Sequence, residues 1–227
     1  MISGTAASGK TSLMMHLLPQ LISDGYKPAA VKMDCFESMD IDLFSSLGIP
    51  SVLGQSGDIC PDHFLVSNLP ELWSWAEGKG SDYLFIESAG LCHRCSPLTE
   101  RSIAITVLDA TANAFSPGRM GPMVTEADMI VLSKCDLISQ AEREILMYRI
   151  RKMNSKAFIV AFDGREGYGS DLVSGFIIQK EPIESYENDV LRHTMPSGVC
   201  SYCVGERRVG SDFQLGVVGK IDFRGQR

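Results

Sequence analysis

The 227-residue sequence lacks the features of membrane and exported proteins. It contains no run of about 18 apolar residues, the length with which a helix crosses a bilayer. Its first residues do not form a basic segment followed by an apolar core and a small-residue cleavage site. Internal repeats and low-complexity tracts are also missing. These absences predict a cytoplasmic protein with no membrane segment.

A surplus of basic residues is missing as well. Lys and Arg number 21 against 28 Asp and Glu, which gives a formal net charge of −7. Proteins that bind nucleic acid through its backbone need clustered Lys and Arg to displace counterions from the phosphates. The charge therefore argues against nucleic acid as a partner and favours small ligands or proteins. With 44% hydrophobic and 22% charged residues, the chain is globular, with one sizeable core and room for a small appendage.

The seven cysteines show a spacing that random placement does not explain. Random placement would give about 0.2 Cys-x-x-Cys pairs. Two are present, Cys92 with Cys95 and Cys200 with Cys203. An odd number of cysteines in a chain without an export signal argues against a disulfide framework. The pairs are candidate metal ligands, and the alternative is that they are small buried side chains without a metal.

Hydrophobic periodicity predicts strands that alternate with helices. Apolar residues at three- and four-residue steps predict helices over 11–24, 65–76 and 140–153. The first of these helices should be kinked or weakest at Pro19, because proline removes a backbone hydrogen bond. Short apolar runs predict buried strands at 29–33, 83–86, 103–108, 129–132 and 158–161. This alternation implies a mostly parallel sheet with helices on both faces, an α/β fold.

Two features concern the ends of the chain. Beyond residue 180 the sequence is punctuated by Pro and Gly, has no helical period, and contains one predicted strand at 213–218. We therefore expect an α/β domain over 1–180 and a small Cys-containing appendage over 181–227. A strand should also precede the first helix, and only Met1, Ile2 and Ser3 are there to build it. We expect further residues upstream.

Residues 4–11, Gly-Thr-Ala-Ala-Ser-Gly-Lys-Thr, match the phosphate-binding pattern G-x-x-x-x-G-K-[ST] and lie directly before the first predicted helix. In such a loop the backbone N–H groups and the helix N-terminus face the phosphates. Lys10 would reach the β- and γ-phosphates, and the Thr11 hydroxyl would join the Mg²⁺ shell. The alternative is a Gly-rich turn that opens a helix. The predicted nucleotide contacts in the loop are Gly4, Ala6, Ala7, Ser8, Gly9, Lys10 and Thr11.

An acid followed by a glycine ends the predicted strand at 83–86, in the sequence Glu87-Ser-Ala-Gly90. A carboxylate at this place can hold Mg²⁺ or its water, and a glycine N–H can sense a γ-phosphate. Glu87 is therefore a candidate catalytic and Mg²⁺-binding residue. The alternative is a solvated charge at a strand end.

After the strand at 129–132, the sequence Ser133-Lys134-Cys135-Asp136 resembles the guanine-specificity motif [NT]-K-x-D. Asp136 would accept hydrogen bonds from two guanine N–H groups, and adenine would leave that carboxylate unpaired. Ser133 replaces the usual Asn or Thr. The pattern favours GTP over ATP, and the alternative is a strand followed by a polar turn.

Five motifs, taken in order, resemble the HypB/UreG family, the GTPases that mature nickel enzymes. They are the phosphate loop, Lys32-Met33-Asp34, Cys60-Pro61-Asp62-His63, Glu87 to Gly90, and Ser133 to Asp136. The resemblance covers about residues 1–179. It implies a P-loop fold, slow GTP hydrolysis, a nucleotide-dependent homodimer, and nickel or zinc at a Cys/His site near the dimer interface. It also implies that Asp34 is the switch-region acid near Mg²⁺, with Asp40 and Asp42 in the same segment, and that the last base-contacting loop lies at 162–167.

Some residues depart from the family pattern. The urease type has Cys-Pro-His, whereas this chain inserts Asp62. The hydrogenase type has a further Cys after the acid-glycine motif, which Cys95 matches best. The C-terminal appendage has no counterpart in the core family, and this leaves the client enzyme open.

Two groups of side chains are candidate ligands for Ni²⁺ or Zn²⁺, since thiolate and imidazole suit both ions. They are Cys60 with His63, and Cys92 with Cys95. Because the second pair follows Glu87 to Gly90, a γ-phosphate that pulls this segment would move two ligands and couple hydrolysis to metal release. The alternative for both groups is buried cysteines without a metal.

Cys200 and Cys203 form a Gly-flanked knuckle that would share Zn²⁺ or an iron–sulfur cluster with other ligands, or remain an unligated turn. The leading interpretation of the whole chain is a GTP-hydrolysing metallochaperone that serves a client metalloenzyme or its accessory protein. Two alternatives remain: a P-loop ATPase that activates an iron–sulfur or corrinoid enzyme, and a nucleotide-sensing gatekeeper that does not hydrolyse.

Overall fold

The computed structural model describes residues 1–36, 40–91, 96–194, 205–214 and 219–223. Its strands are β1 (Ile2–Gly4), β2 (Pro28–Asp34), β3 (Ser51–Gln55), β4 (Tyr83–Glu87), β5 (Ile105–Asp109), β6 (Met129–Ser133) and β7 (Phe158–Phe162). Its α-helices are α1 (Lys10–Ser23), α2 (Asp40–Ser46), α3 (Pro61–Gly78), α4 (Pro122–Thr125), α5 (Gln140–Met153) and α6 (Ser170–Ile178). No helix among these residues is long and apolar enough to cross a membrane.

The seven strands form one parallel sheet in the order β3-β2-β4-β1-β5-β6-β7. The central strand β1 has β4 on one side and β5 on the other. Because all strands are parallel, their carboxyl ends lie at the same edge of the sheet. In open sheets of this kind, ligands bind outside the carboxyl ends of the strands, where the strand order reverses.

Alternate residues of the strands face two separate helical layers. In β6, Met129 and Val131 belong to the core that contains α1 and α6, whereas Ile130 and Leu132 pack with α5. In β2, Val31 belongs to a third core that is built on α3. Both faces of the sheet are therefore apolar, which is why the buried strands appear in the sequence as continuous apolar runs. The predicted α/β fold is confirmed.

The predicted elements differ from the observed ones where tertiary contacts decide. The exposed Pro19 does not end α1, which continues to Ser23. Strand β3 was missed because its sequence is short and contains Gly54, whose missing side chain makes room for Met33. Helices α2, α4 and α6 were also missed, and α6 is short and packs against α1. The predicted strand at 213–218 is wrong at its start, since 211–213 form a turn, and 215–218 lie outside the described residues.

The described parts of segment 181–227 pack against α3. Leu191, Val209 and Ile221 share a core with apolar side chains of that helix. Asn68, fully buried in α3, donates to the Gly219 carbonyl at 2.9 Å and accepts from the Ile221 N–H at 3.0 Å. The described parts of the segment thus share one core with α3 and with residues of the strands beneath it. The boundary at residue 180 stays a prediction.

Candidate functional site

The loop between β1 and α1 curls tightly at the carboxyl edge of the sheet. Gly4 has φ 145°, and a Cβ there would lie 2.3 Å from the Val107 carbonyl oxygen on β5. Gly9 has φ 94° and precedes the first residue of α1. The two glycines of the sequence pattern therefore stand where larger residues would be strained or would clash.

Lys10 lies under this loop. Its Nζ donates to the carbonyl oxygens of Gly4 at 3.2 Å and Thr5 at 2.9 Å, and the side chain is buried. Burial lowers the pKa of Lys10, and the negative charge of Glu87 partly opposes this effect. A buried cation inside a loop of backbone N–H groups is a fitting environment for a phosphate.

A cavity of about 370 Å³ opens beside the loop. Its wall contains the predicted loop residues from Ala6 to Thr11 and the two predicted acids Asp34 and Glu87. Lys32 and Asp40 also line it. The structure therefore brings the phosphate loop and the acids of three different elements to one place.

Three oxygen-bearing side chains meet at the floor of this cavity. The Thr11 hydroxyl donates to Glu87 at 2.9 Å, and lies 3.3 Å from Asp40 Oδ2. Hydroxyl and carboxylate oxygens are the ligands that Mg²⁺ prefers. The donor set of Thr11, Glu87 and Asp40 thus fits the metal that accompanies a nucleotide.

Lys32 is paired with these acids. Its Nζ lies 2.8 Å from Glu87 Oε1 and 2.8 Å from Asp40 Oδ2. Burial lowers the pKa of Lys32, but the two carboxylates outweigh it and raise the pKa overall. The hydrogen bond from Lys32 holds the pKa of Asp40 below its usual range, against a smaller effect of burial.

Asp34 and Asp42 have different surroundings from Asp40. Asp34 ends β2 and lines the cavity, and its Oδ1 accepts the backbone N–H of Cys35 at 2.8 Å. Asp42 is exposed on α2. Of these three acids, Asp40 is therefore the one that contacts Thr11. The role predicted for Asp34 at Mg²⁺ stays a prediction.

The base-specificity motif is bonded to the phosphate loop. Ser133, the last residue of β6, donates from its hydroxyl to the Ser8 carbonyl at 2.6 Å. Lys134 donates to the Ala7 carbonyl at 3.1 Å and forms an ion pair with Asp109 at 2.5 Å. Burial raises the pKa of Asp109, but hydrogen bonds from Lys134 and Thr111 outweigh it and lower that pKa overall. Asp136 is exposed in the 3₁₀ turn that follows.

The loop after β7 also reaches this end of the molecule. The Gly164 carbonyl accepts the Ser12 hydroxyl at 3.1 Å and lies 3.1 Å from His16 Nε2, both on α1. The segment 162–167, where the resemblance places the last base-contacting loop, is thus held against the helix that follows the phosphate loop.

A family model described as the CobW/HypB/UreG nucleotide-binding domain matches residues 1–161. The chain belongs to this family. The match begins before the phosphate loop and includes the motif from Ser133 to Asp136, so it covers the whole cavity described above.

Two proteins and one crystal structure are similar to this chain over most of its length. An uncharacterized protein of Methanocaldococcus jannaschii is 44% identical over 221 residues, 97% of this chain and 94% of its own length. Urease accessory protein UreG 2 of Streptomyces griseus is 30% identical over 157 residues, 63% of this chain and 69% of its own. The crystal structure of HypB from Helicobacter pylori in complex with nickel has a TM-score of 0.65 at 18% identity, and the match covers 79% of this chain and 85% of that one.

The match to the Methanocaldococcus protein extends well past residue 161, where the family model ends. The C-terminal segment that packs on α3 is therefore shared with that relative.

Of the candidate metal ligands in this family member, Cys60 and His63 lie in the described part. Cys60 precedes α3 and is half-buried, and His63 is fully buried in the first turn of the helix. Burial lowers the pKa of His63 and so favours the neutral imidazole that binds metals. Within the described ranges, no three His, Cys, Asp or Glu side chains form a metal-binding group. Cys92, Cys95, Cys200 and Cys203 lie outside the described residues.

The first turn of α3 lies near the nucleotide site. Asp62 is buried there, and burial raises its pKa to about 6, while the charge of Lys10 acts in the opposite direction. Gly90, two residues before Cys92, also touches the phosphate loop, since a Cβ on it would lie 2.1 Å from the Gly4 carbonyl oxygen. Both predicted ligand groups are thus connected in the chain to residues beside the loop.

Sequence reasoning missed two residues as contributors to the site, Lys32 and Asp109. Lys32 stands inside the apolar run from Ala29 to Met33, where a buried charge needs a partner. Asp109 ends a buried strand, as Glu87 does. A charge within or directly after a buried strand is the signal that could have identified both.

Proposed function

We propose that this chain is a GTP-hydrolysing metallochaperone, which couples nucleotide hydrolysis to the delivery of nickel or zinc to a client metalloenzyme. The observation that carries the proposal is the contact of Ser133 and Lys134 with the carbonyls of Ser8 and Ala7. These two hydrogen bonds connect the guanine-type motif to the phosphate loop. The names of two similar proteins, a urease accessory protein and a HypB in complex with nickel, support the choice of cargo.

Each residue of the site would have a role in hydrolysis that follows from its chemistry. Lys10 would neutralise charge on the β- and γ-phosphates, and the backbone N–H groups from Gly4 to Thr11 would bind the phosphate oxygens. Thr11, Glu87 and the acids Asp34 and Asp40 would hold Mg²⁺, which supplies charge stabilisation to the phosphoryl group when bound. Glu87 would also orient the attacking water. Asp136 would select guanine through its two N–H groups.

The metal cargo would bind to thiolates and imidazole close to the same loop. Cys60 with His63, and Cys92 with Cys95, are the proposed ligands, and both Ni²⁺ and Zn²⁺ accept this donor set. Gly90 touches Gly4, so a change at the γ-phosphate has a short path through the chain to Cys92. Cys200 and Cys203 would serve a separate zinc or iron–sulfur site. The working form would be a nucleotide-dependent homodimer that meets a client enzyme or its accessory protein.

An anaerobic titration with Ni²⁺ and Zn²⁺, in the presence of Mg²⁺·GTP, Mg²⁺·ATP or no nucleotide, tests the proposal. We expect metal affinity or stoichiometry to change with GTP and not with ATP, because linkage requires metal and nucleotide to alter each other's binding by the same factor. The double variant C92S/C95S should lose this dependence and keep its GTP affinity. The variant C200S/C203S is the matched comparison: it removes two cysteines from the proposed separate site, so it should lower the metal stoichiometry and keep the dependence on GTP.

Other results of this titration would favour one of the two alternative functions. Dependence on ATP would favour an ATPase that activates an iron–sulfur or corrinoid enzyme. Stoichiometric nucleotide binding without turnover, even with a partner present, would favour a gatekeeper. Metal binding that ignores both nucleotides would contradict the metallochaperone proposal and leave the cysteines a structural role.

A further inference from the structure

Lys32 and Glu87 are fixed side by side by the sheet itself. They are register partners on β2 and β4, and their side chains are 8% and 2% exposed. The Lys32 Nζ also reaches the Asp40 carboxylate at 2.8 Å and the Thr11 hydroxyl at 3.3 Å. A single ammonium thus contacts three oxygen-bearing groups from α1, α2 and β4.

These three groups are the donor set that fits a divalent cation. Mg²⁺ binds oxygen at about 2.0 to 2.1 Å and accepts only near-octahedral geometry. An ammonium within hydrogen-bond distance of the same oxygens leaves no room for that geometry, and its positive charge repels a second cation. The ammonium and the metal therefore exclude each other from these oxygens.

We propose that Lys32 competes with the divalent cation for Glu87, Asp40 and Thr11. The lysine holds the metal ligands in place and neutralises them until the metal arrives with the nucleotide, and it leaves them when the metal binds. Mg²⁺ alone is then a poor ligand, and the phosphates of the incoming nucleotide are required to bring it in. This inference rests on the proposed function and adds a reason why binding of the divalent cation depends on the nucleotide.

Binding of Mn²⁺ in place of Mg²⁺, without any nucleotide, tests this competition. The loss of the free Mn²⁺ signal in electron paramagnetic resonance measures the affinity directly. We expect weak binding by the wild-type protein and binding tighter by about ten-fold or more in Lys32→Gln, because the carboxylate left without its cation recruits another. Lys32→Arg keeps the charge and should bind Mn²⁺ as weakly as the wild type.

Lys156→Gln is the matched control, since it removes one positive charge from an exposed position before β7, at the opposite edge of the sheet. Equal Mn²⁺ affinity in Lys32→Gln and the wild type overturns the proposal, as does an equal gain in Lys156→Gln. Thermal unfolding gives a second readout, in which Mn²⁺ should raise the melting temperature of Lys32→Gln far more than that of the wild type. A Lys32→Gln protein that is unfolded both with and without Mn²⁺ also contradicts the proposal that the variant binds the cation tightly. A protein that hydrolyses no GTP can still pass this test, so the two proposals fail separately.

Discussion

The hydroxyl of Ser133 donates a 2.6 Å hydrogen bond to the backbone carbonyl of Ser8. Ser133 ends β6 and Ser8 lies in the phosphate loop, 125 residues away in the chain. The serine that departs from the usual Asn or Thr of the guanine motif therefore still fastens that motif to the loop. Both side chains are buried, so the bond is shielded from water.

Replacement of Ser133 by Ala should weaken this connection. The Ser8 and Leu108 carbonyls lose a donor, which costs about 1 to 3 kcal/mol for a buried hydrogen bond left unmade. We expect a lower melting temperature and a smaller preference for GTP over ATP, measured by thermal unfolding and by nucleotide titration. Ser133→Thr keeps the hydroxyl and should keep the preference. An unchanged preference in Ser133→Ala would show that the bond does not orient the motif.

Replacement of Asp136 by Asn should change the base that is bound. In the proposed function the carboxylate would accept from two guanine N–H groups, and Asn offers a donor in place of one acceptor. GTP affinity should fall by about ten- to one hundred-fold, the worth of a hydrogen bond to a charged group. Xanthosine triphosphate, which has a carbonyl where guanine has an amino group, should bind the variant better than the wild type. Competition titration measures both, with the exposed Asp24→Asn as control; an unaltered order of affinities would remove Asp136 from the base site.

Asp62 should make stability depend on pH. Its pKa is raised to about 6 from 3.8 by burial, with Lys10 acting against the rise. A carboxyl that binds protons more tightly in the folded chain stabilises it fully below the unfolded pKa, and this contribution is lost as the pH rises through about 6. Asp62→Asn should therefore be more stable than the wild type near neutral pH, by at most about 3 kcal/mol, with the difference shrinking toward about pH 4.

Urea unfolding of the metal-free protein at several pH values measures this difference. Asp171→Asn is the control, because Asp171 is also a first-turn carboxylate of a helix but is exposed on α6. A gap between Asp62→Asn and the wild type that stays constant with pH would mean that Asp62 keeps an ordinary pKa in the folded protein.

Asn68 should hold the C-terminal segment on α3. Its side chain satisfies the Gly219 carbonyl and the Ile221 N–H, and it also donates to the Phe64 carbonyl at 2.8 Å. Asn68→Ala leaves buried groups unpaired and should lower the free energy of unfolding by about 1 to 3 kcal/mol. Limited proteolysis should cleave the C-terminal segment earlier than in the wild type. The exposed Ser74→Ala on the same helix is the control, and equal cleavage rates would show that the apolar contacts alone hold the segment.

The motifs that could be predicted are those whose chemistry depends on neighbours in the chain. The phosphate loop needs two glycines, a lysine and a hydroxyl within eight residues and a helix directly after them, so residues 4–11 identified it. Glu87 was predicted because an acid directly after an apolar run lies at the end of a strand. The buried strands were predicted because the two apolar faces of a parallel sheet leave no polar alternation.

Strand register and helix docking decided the rest. Lys32 faces Glu87 because β2 and β4 pair at that register, and Asp109 meets Lys134 because β5 and β6 pair with Asp109 beside Ser133. Asp40 reaches Thr11 because α2 docks next to α1. No local pattern contains these distances, since each joins residues more than 20 positions apart.

The sequence alone thus determined the α/β class and the phosphate loop, and it predicted the acid and base motifs, because each depends on short-range spacing. Only the tertiary structure decided which charges share the cavity, because long-range pairing brings Lys32, Glu87 and Asp40 to the same oxygen of Thr11. It also decided that the described parts of the C-terminal segment pack on α3, because Leu191, Val209 and Ile221 share one core with that helix and with the neighbouring strands.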